Sequence, residues 1–314
     1  MTLAQIKSKM PLEFIEEIYR NFSPRIADKI LIGMSEKRLT TLRVNTIKFN
    51  MEDLLKILQK ENIEYENVEW YNDALIIKNA DEKKIQNLDI YTNGYIYLQS
   101  LSSMIPPIIL NPKKEEKVLD LTAAPGSKTT QMAAMMENDG YILANELDKI
   151  RCDRLKYNVH MQGAEIVEVI NMPGENVGEK YPNTFDKVLL DVPCSGEGRF
   201  LVSDEKTYKN WSTKQVQDLV EIQKKLFESA VEALKAGGEM VYSTCTLNLK
   251  ENEEIVNYAI KNLNVKVEEI NIELKDKAKG ISKGYDTSLK NTIRVLPNKY
   301  QEGFYVAKII KNNY

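Results

Sequence analysis

Residues 117–148 read KVLDLTAAPGSKTTQMAAMMENDGYILANELD, and this stretch decides the fold. The run from Lys117 to Asp120 is apolar at its centre and too short for a helix, so a buried strand is expected. A loop of small residues follows: Thr122, Ala123, Ala124, Pro125, Gly126 and Ser127. SKTTQMAAMME (127–137) then predicts a helix, and YILANELD (141–148) returns to strand character. Strand, small-residue loop, helix, strand is the repeating unit of a doubly wound α/β sheet.

The alternation continues downstream. A helix is expected over residues 149–162, then strands in EIVEVINM (165–172) and FDKVLLDV (185–192). A long amphipathic helix should cover 213–236 and stop at Gly237-Gly238, since glycine suits a helix end. GEMVYSTC (238–245) is the next strand and ENEEIVNYAIKNL (251–263) the next helix. VKVEEINI (265–272) and GFYVAKII (303–310) are the last strands. Residues 96–314 therefore predict a Rossmann-like, doubly wound and mostly parallel sheet. Upstream the pattern differs: helical spacing within 11–34, a strand in LTTLRVNTIK (39–48), an amphipathic helix in MEDLLKILQKEN (51–62) and two strand-like runs before residue 79. That β-α-β-β order predicts a smaller α+β domain of ferredoxin-like type over residues 1–95, a candidate for RNA contact.

Composition narrows the function classes. The 314 residues are 43% hydrophobic and 28% charged, as in an ordinary globular protein. No apolar run approaches the roughly eighteen residues of a membrane span, and MTLAQIKSKMPLEF lacks a signal-peptide core, so a cytoplasmic protein is expected. Three cysteines and one histidine are too few for a disulfide framework or a zinc cluster, and no metal is expected. The net charge of −3 is not that of a generally basic nucleic-acid binder, so any RNA surface must be a local patch. Residues 275–299 offer one, with Lys275, Lys277, Lys279, Lys283, Lys290, Arg294 and Lys299 against Asp276 and Asp286. This segment is expected to emerge beside the carboxyl ends of the strands, either as an RNA-docking element or as a solvated loop.

Ligands of doubly wound sheets bind outside the carboxyl ends of the strands, which directs attention to the loop 120–129. Gly126-Ser127-Lys128-Thr129 superficially suggests a phosphate loop, but with Gly126 as the second glycine Walker A needs Gly where Leu121 stands and Lys where Ser127 stands. The dinucleotide fingerprint is absent too. Glu146, twenty positions after Gly126, stands where such a fold places a carboxylate for a ribose diol. A site that holds adenosine without a pyrophosphate suits S-adenosylmethionine.

Cys194, in Asp191-Val192-Pro193-Cys194-Ser195-Gly196, and Cys245, in Ser243-Thr244-Cys245-Thr246, each lie just past a predicted strand. If those strands are neighbours, both thiols enter the same cleft as the loop. Cys152 sits within a predicted helix and is read as a small buried hydrophobe. A thiol beside a methyl donor fits the methylation of cytosine carbon 5. Thiolate addition at carbon 6 breaks the ring delocalisation and makes carbon 5 nucleophilic. Asp191 is then expected near N3 and the exocyclic amine, and Lys128 near the thiolate.

These residues resemble the RNA cytosine-5 methyltransferases of the Nop/Sun family. The resemblance rests on DLTAAPGSKT (120–129), ANELDKIRCDRL (144–155), DVPCSGEGRF (191–200), STCTLNLKENEEIV (243–256) and EGFYVAKI (302–309). TLRVNTIK (41–48) and YLQSLSSM (97–104) are similar to the family's leading motifs. The resemblance implies Cys245 as the attacking thiol and Cys194 as the residue that resolves the covalent complex, with Asp191 and Lys128 lining the target pocket. DNA cytosine methyltransferases attack from their Pro-Cys motif, which would reverse the two roles. The implied cofactor set is Thr122 to Lys128, Glu146, Arg151, Asn171 and Asp191, with Glu146 where Asp is common and Asn171 where many relatives carry an acid. The compact chain resembles the archaeal tRNA-modifying members, with ribosomal RNA as the main alternative substrate. A non-catalytic RNA-binding factor of the same fold is the rival from another class.

Overall fold

The computed structural model describes residues 1–313. Two sheets organise the chain. The small one contains β1 (Thr40–Val44), β2 (Tyr65–Asn67), β3 (Ala74–Ile77) and β4 (Ile96–Leu98) in the order β2-β3-β1-β4, all antiparallel. The helix Met51–Lys60 connects β1 to β2; Asn50 caps it by accepting from the Asp53 N–H at 2.9 Å. Its Leu54 and Leu58 pack on Leu42, Val44, Leu75 and Ile77 of the sheet. This is the expected ferredoxin-like arrangement. Because β4 begins at Ile96, we propose the division between the two parts after Leu98 rather than after residue 95.

The large sheet contains β5 (Lys117–Asp120), β6 (Tyr141–Asn145), β7 (Val167–Ile170), β8 (Phe185–Asp191), β9 (Leu234–Thr244), β10 (Val265–Glu268), β11 (Lys277–Lys279), β12 (Ile293–Val295) and β13 (Phe304–Lys311). Its order is β11-β12-β13-β9-β8-β5-β6-β7, with β10 also on β13. The chain runs β5-β6-β7 towards one edge, then returns to β8 on the other side of β5. That reversal is the switch point, and it opens a crevice at the carboxyl ends of β5 and β8. Strands β5 to β9 pair in parallel, and the central strands β5 and β8 are covered on both faces, which is why Val118, Leu119, Val188, Leu189 and Leu190 are apolar without alternation.

Four strands differ from expectation. All of the pairings made by β10 to β13 are antiparallel, so the sheet is mixed rather than mostly parallel throughout. The hairpin β11–β12 lies inside the basic segment 275–299, for which no strand was expected; strands of three residues are too short to register as a period. Arg294 of β12 faces inwards and is fully buried. Its guanidinium pairs with both carboxylate oxygens of Glu253 and donates to the Leu247 carbonyl at 2.8 Å. Arg294 therefore leaves the candidate RNA patch: it is a buried counter-charge. Lys275, Lys277, Lys279 and Lys283 remain exposed.

The long helix also ends earlier than expected, at Ala233, because buried Leu234 already pairs with Phe185 in β9. Register then shifts between Phe185 and Lys187, and residues 235–238 form the bulge. Gly237 has φ +74°, and a Cβ on Gly238 would lie 2.9 Å from the Asp186 carbonyl oxygen. The glycines serve the bulge, not a helix cap. By contrast, the helix Lys149–Gln162 runs as expected, from an Asp148 cap to Gly163 at φ +66°.

The two parts interlock through Arg43 of β1, which is wholly buried. It donates to Gln99 Oε1 at 2.8 Å, to Thr130 Oγ1 at 2.7 Å and to the Ser127 carbonyl at 3.2 Å, with its guanidinium over the Tyr97 ring. The small sheet thus grips the first turn of the helix that follows the small-residue loop. The N-terminal helices add Phe14 against Phe200 and Trp211.

Removing one member of a buried ion pair strands the other. Arg294→Ala should therefore lower stability to urea by about 3–5 kcal/mol, whereas Lys279→Ala should change it by less than about 0.5 kcal/mol. Similar losses in the two variants would return Arg294 to the surface patch.

Candidate active site

At the switch point lies a cleft of 740 Å³. Its floor is the loop after β5, one wall the end of β6, and the other wall the ends of β8 and β9. Parallel pairing sets Asp191 opposite Ser243, so the chains leave β8 and β9 side by side. Cys194 and Cys245 follow, each half-buried, with their sulfurs 3.3 Å apart. Both are free thiols in hydrogen-bond contact. The strand adjacency on which the sequence reading of a shared cleft depended is present.

The turn of Cys194 is held from below by Glu251. Its carboxylate accepts from the Ser195 N–H at 2.9 Å, from the Ser195 hydroxyl and from Gln223 Nε2 at 3.0 Å. Cys245 is held through its own backbone, whose carbonyl accepts the Gly198 N–H at 2.9 Å. The Cys194 thiol is pushed well up, first by its hydrogen bond to Cys245, then by burial and by the charges of Cys245, Glu251 and Asp191. Cys194 thus holds its proton firmly in the resting cleft.

Lys128 and Asp191 form a second pair in the cleft, Nζ to Oδ2 at 2.6 Å, and Ser243 Oγ donates to Asp191 Oδ1 at 2.7 Å. Burial lowers the Lys128 pKa, but the Asp191 charge and hydrogen bond, with Asp120 and Cys245, outweigh it and leave the ammonium raised. Thr122 Oγ1 donates to the Asp191 carbonyl at 2.8 Å and ties the loop to β8. Ala123, Ala124, Pro125 and Ser127 also line the cleft. Gly126 does not; at φ +104° it makes the turn into the helix Ser127–Met135, where a Cβ would meet Leu155 at 2.9 Å.

Glu146 directly follows β6, with its carboxylate in the cleft and 4% of the residue exposed. It accepts the Asp148 N–H at 2.9 Å and lies 3.5 Å from Arg151, which itself donates to the Ala124 carbonyl at 2.8 Å. Asn171 is not on the cleft wall. Its amide donates to the Glu146 and Leu147 carbonyls at 2.6 and 2.8 Å, so it shapes the Glu146 turn from behind.

These residues fit S-adenosylmethionine. The lining carries Asp120, Glu146, Asp148, Glu175, Asp191 and Glu302 against Lys128, Arg151 and Arg199, an excess of negative charge that suits a ligand bearing a sulfonium and an ammonium. Leu147, Ile222 and Leu226 supply apolar surface, and at Gly174 a Cβ would strike Leu226 at 2.6 Å, so glycine keeps that wall open. Arg199 and Glu302 sit inside quoted motifs but were not singled out from the sequence. Ile222 and Leu226, on the long helix, carried no sequence signal beyond amphipathic spacing. Asp120 was quoted only as the start of its loop. Buried and bonded by Thr129 Oγ1 at 2.7 Å, it is pushed up to about 7 chiefly by desolvation, against the pull of Thr129 and Lys128.

Comparison with known proteins supplies the family. Residues 107–310 match the family model described as 16S rRNA methyltransferase RsmB/F, and residues 10–82 match the RsmF/B-like ferredoxin-like domain. The chain is 40% identical over 276 residues to the tRNA (cytosine(49)-C(5))-methyltransferase of Pyrococcus abyssi, covering 86% of this chain and 88% of that one. It is 38% identical over 304 residues to ribosomal RNA small subunit methyltransferase F of a Shewanella species, covering 95% of this chain but 62% of that one. It therefore spans less than two thirds of the ribosomal relative's length. The crystal structure of a methyltransferase homologue from Pyrococcus horikoshii matches at a TM-score of 0.85 and 30% identity, with 98% of each chain covered.

Glu146→Ala should weaken S-adenosylmethionine binding about 10- to 150-fold through loss of charge-assisted bonds to the ribose. Calorimetry showing unchanged affinity would take Glu146 out of the cofactor site. Asp120 gives a pH test. A carboxyl whose pKa is higher folded than unfolded holds its proton more tightly in the folded chain, so its contribution to stability falls as pH rises from about 4 to about 7. Asp120→Asn should flatten that fall, gaining on the parent between pH 5 and pH 8 in urea denaturation. Parallel curves for the two chains would contradict the assignment.

Proposed function

Because the chain belongs to the RsmB/F (Nop/Sun) family of S-adenosylmethionine-dependent RNA cytosine-5 methyltransferases, we propose that its substrate is tRNA and that Cys245 attacks the target base. Support for tRNA comes from the relative from Pyrococcus abyssi, matched over 88% of its length, against 62% for the ribosomal one. The cytoplasmic location expected from the sequence is part of the same proposal.

The observation that carries the mechanism is the pair of thiols 3.3 Å apart beside the Lys128–Asp191 pair. A cytosine inside a stack is out of reach of either sulfur, so the base must be extruded into the cleft. The Cys245 thiolate forms a bond to carbon 6, and the π electrons of the 5,6 bond move to carbon 5. Asp191 accepts from the exocyclic amine while Lys128, bonded to it, supplies positive charge as the ring becomes electron-rich. S-adenosylmethionine supplies the methyl group that carbon 5 takes up. Carbon 5 then bears both methyl and hydrogen. A base removes the proton, the pair re-forms the double bond, and Cys245 leaves as thiolate.

Cys194 is suited to this last stage because its high pKa comes first from Cys245. Once Cys245 is bonded to carbon 6 that hydrogen bond is broken, and Cys194 ionises more readily beside the carbon-5 proton. The same sulfur is thus a thiol during attack and a base during release. The exposed lysines Lys275, Lys277, Lys279 and Lys283 are proposed as phosphate contacts of the RNA.

Cys194→Ala should accumulate a protein–RNA adduct on a denaturing gel, and Cys245→Ala should abolish both adduct and methyl transfer. An adduct in Cys245→Ala instead would assign the DNA-type roles. Bisulfite sequencing of tRNA and ribosomal RNA incubated with the enzyme decides the substrate, with new protected cytosines expected in tRNA. Protection in ribosomal RNA alone would overturn the tRNA reading.

A further inference from the structure

Arg199 is the one cation of the catalytic cleft that no role above uses. It lines the cleft with Cys194 and Cys245, and it is exposed. Its guanidinium forms no hydrogen bond and no ion pair with any described residue, unlike Lys128 on Asp191 or Arg151 near Glu146. The group lies against Gly196, where a Cβ would come within 3.0 Å of Nη2. Gly196 sits at φ +73°, so the turn that begins at Cys194 folds back beneath the guanidinium. The charge that acts most strongly on Arg199 is that of Cys245, ahead of Glu302, Cys194 and Asp191.

The backbone beneath Arg199 is unusually well held. Arg38, from the segment leading into the small sheet, donates to the carbonyls of Gly198, Arg199 and Phe200 at 3.1, 3.2 and 3.3 Å. Gly303 donates to Gly198 at 2.9 Å, and Gly198 donates to Cys245 at 2.9 Å. A Cβ on Gly198 would fall 1.9 Å from the Gly303 carbonyl oxygen, so the two backbones touch. Arg199 is therefore carried on a turn fixed relative to the Cys245 backbone, while its side chain stays free. An unpaired guanidinium on a rigid mount, in a cleft that takes RNA, is arranged for an anion that arrives with the substrate.

Nucleotide geometry says which anion. In the anti conformation of a pyrimidine nucleotide, carbon 6 is the ring edge that faces the nucleotide's own 5′-phosphate. A sulfur that attacks carbon 6 thus brings that phosphate close to itself, and a cation beside the sulfur meets it. We propose that Arg199 binds the 5′-phosphodiester of the extruded cytidine, and that Arg38 holds the turn that aims it. This inference rests on Cys245 being the attacking thiol. It gives the enzyme a contact that reads no base but locks the target nucleotide with carbon 6 towards the sulfur.

The test pairs a protein change with a substrate change. Methyl transfer at subsaturating RNA is measured on an RNA spanning the bisulfite-mapped cytidine. A second RNA carries a neutral methylphosphonate at the linkage 5′ to that cytidine, and a third carries it three linkages away. In the parent the 5′ methylphosphonate should reduce kcat/KM about tenfold or more, and the distant one should have little effect. Arg199→Gln should lose about as much on natural RNA and then lose little further with the 5′ methylphosphonate. Arg199→Lys should keep part of the parent's sensitivity. Arg199 is exposed, so neither substitution empties a core position. Equal methylphosphonate penalties in parent and Arg199→Gln would overturn the phosphate contact while leaving Cys245 as nucleophile. Methyl transfer that survives Cys245→Ala would overturn the thiol assignment, and the contact inferred from it as well. Arg38→Ala should diminish the methylphosphonate effect, and an undiminished effect there would remove Arg38 from its supporting role.

Discussion

Everything at the catalytic centre depends on the parallel pairing of β8 with β9, in the register that sets Asp191 against Ser243. Fifty-odd residues of chain separate Cys194 from Cys245, yet the ladder delivers their sulfurs to hydrogen-bond contact. A one-residue slip would turn every side chain of one strand to the opposite face and break both the Ser243–Asp191 bond and the thiol pair. Buried apolar residues on both faces of these strands make such a slip costly, so the chemistry inherits its precision from the core.

The same register explains how the cleft manages its charges. Asp191 leaves β8 facing Lys128, which comes from the first turn of a helix on the other side of the loop. Each neutralises the other's burial, and Ser243 satisfies the remaining carboxylate oxygen. Glu251 plays a related part beneath Cys194, where it takes up the Ser195 N–H that would otherwise be left unpaired at a sharp turn. The two thiols therefore sit on turns held by hydrogen bonds, at the Ser195 N–H for Cys194 and at its own carbonyl for Cys245.

The small domain is joined to this centre at two arginines. Arg43 reaches the Ser127 carbonyl and Thr130 at the base of the cofactor helix, and Arg38 reaches three carbonyls beside Cys245. Each is a buried or half-buried guanidinium whose fork geometry suits several oxygens at once. The small domain is thereby fixed relative to both the loop after β5 and the Cys245 turn.

Much of this was legible in the amino-acid order. Short apolar runs, small-residue loops and capped helices depend on local physics, so the β5–loop–helix–β6 unit, the helix Lys149–Gln162 and the ferredoxin-like order were readable directly. The cofactor loop and the two cysteines were readable as candidates because reactive residues follow strand ends in such a fold. What lay beyond reach came from contacts between distant segments. Whether β8 and β9 are neighbours, whether Arg294 meets Glu253 or solvent, and whether Gly237-Gly238 ends a helix or forms a bulge are decided by strand order and burial. A basic residue in a charged segment looks the same in sequence whether it faces water or a buried carboxylate. The sequence by itself determined the elements and the chemistry available to them. Only the tertiary structure decided which side chains meet, because pairing free energies between remote segments depend on a three-dimensional register that no local pattern encodes.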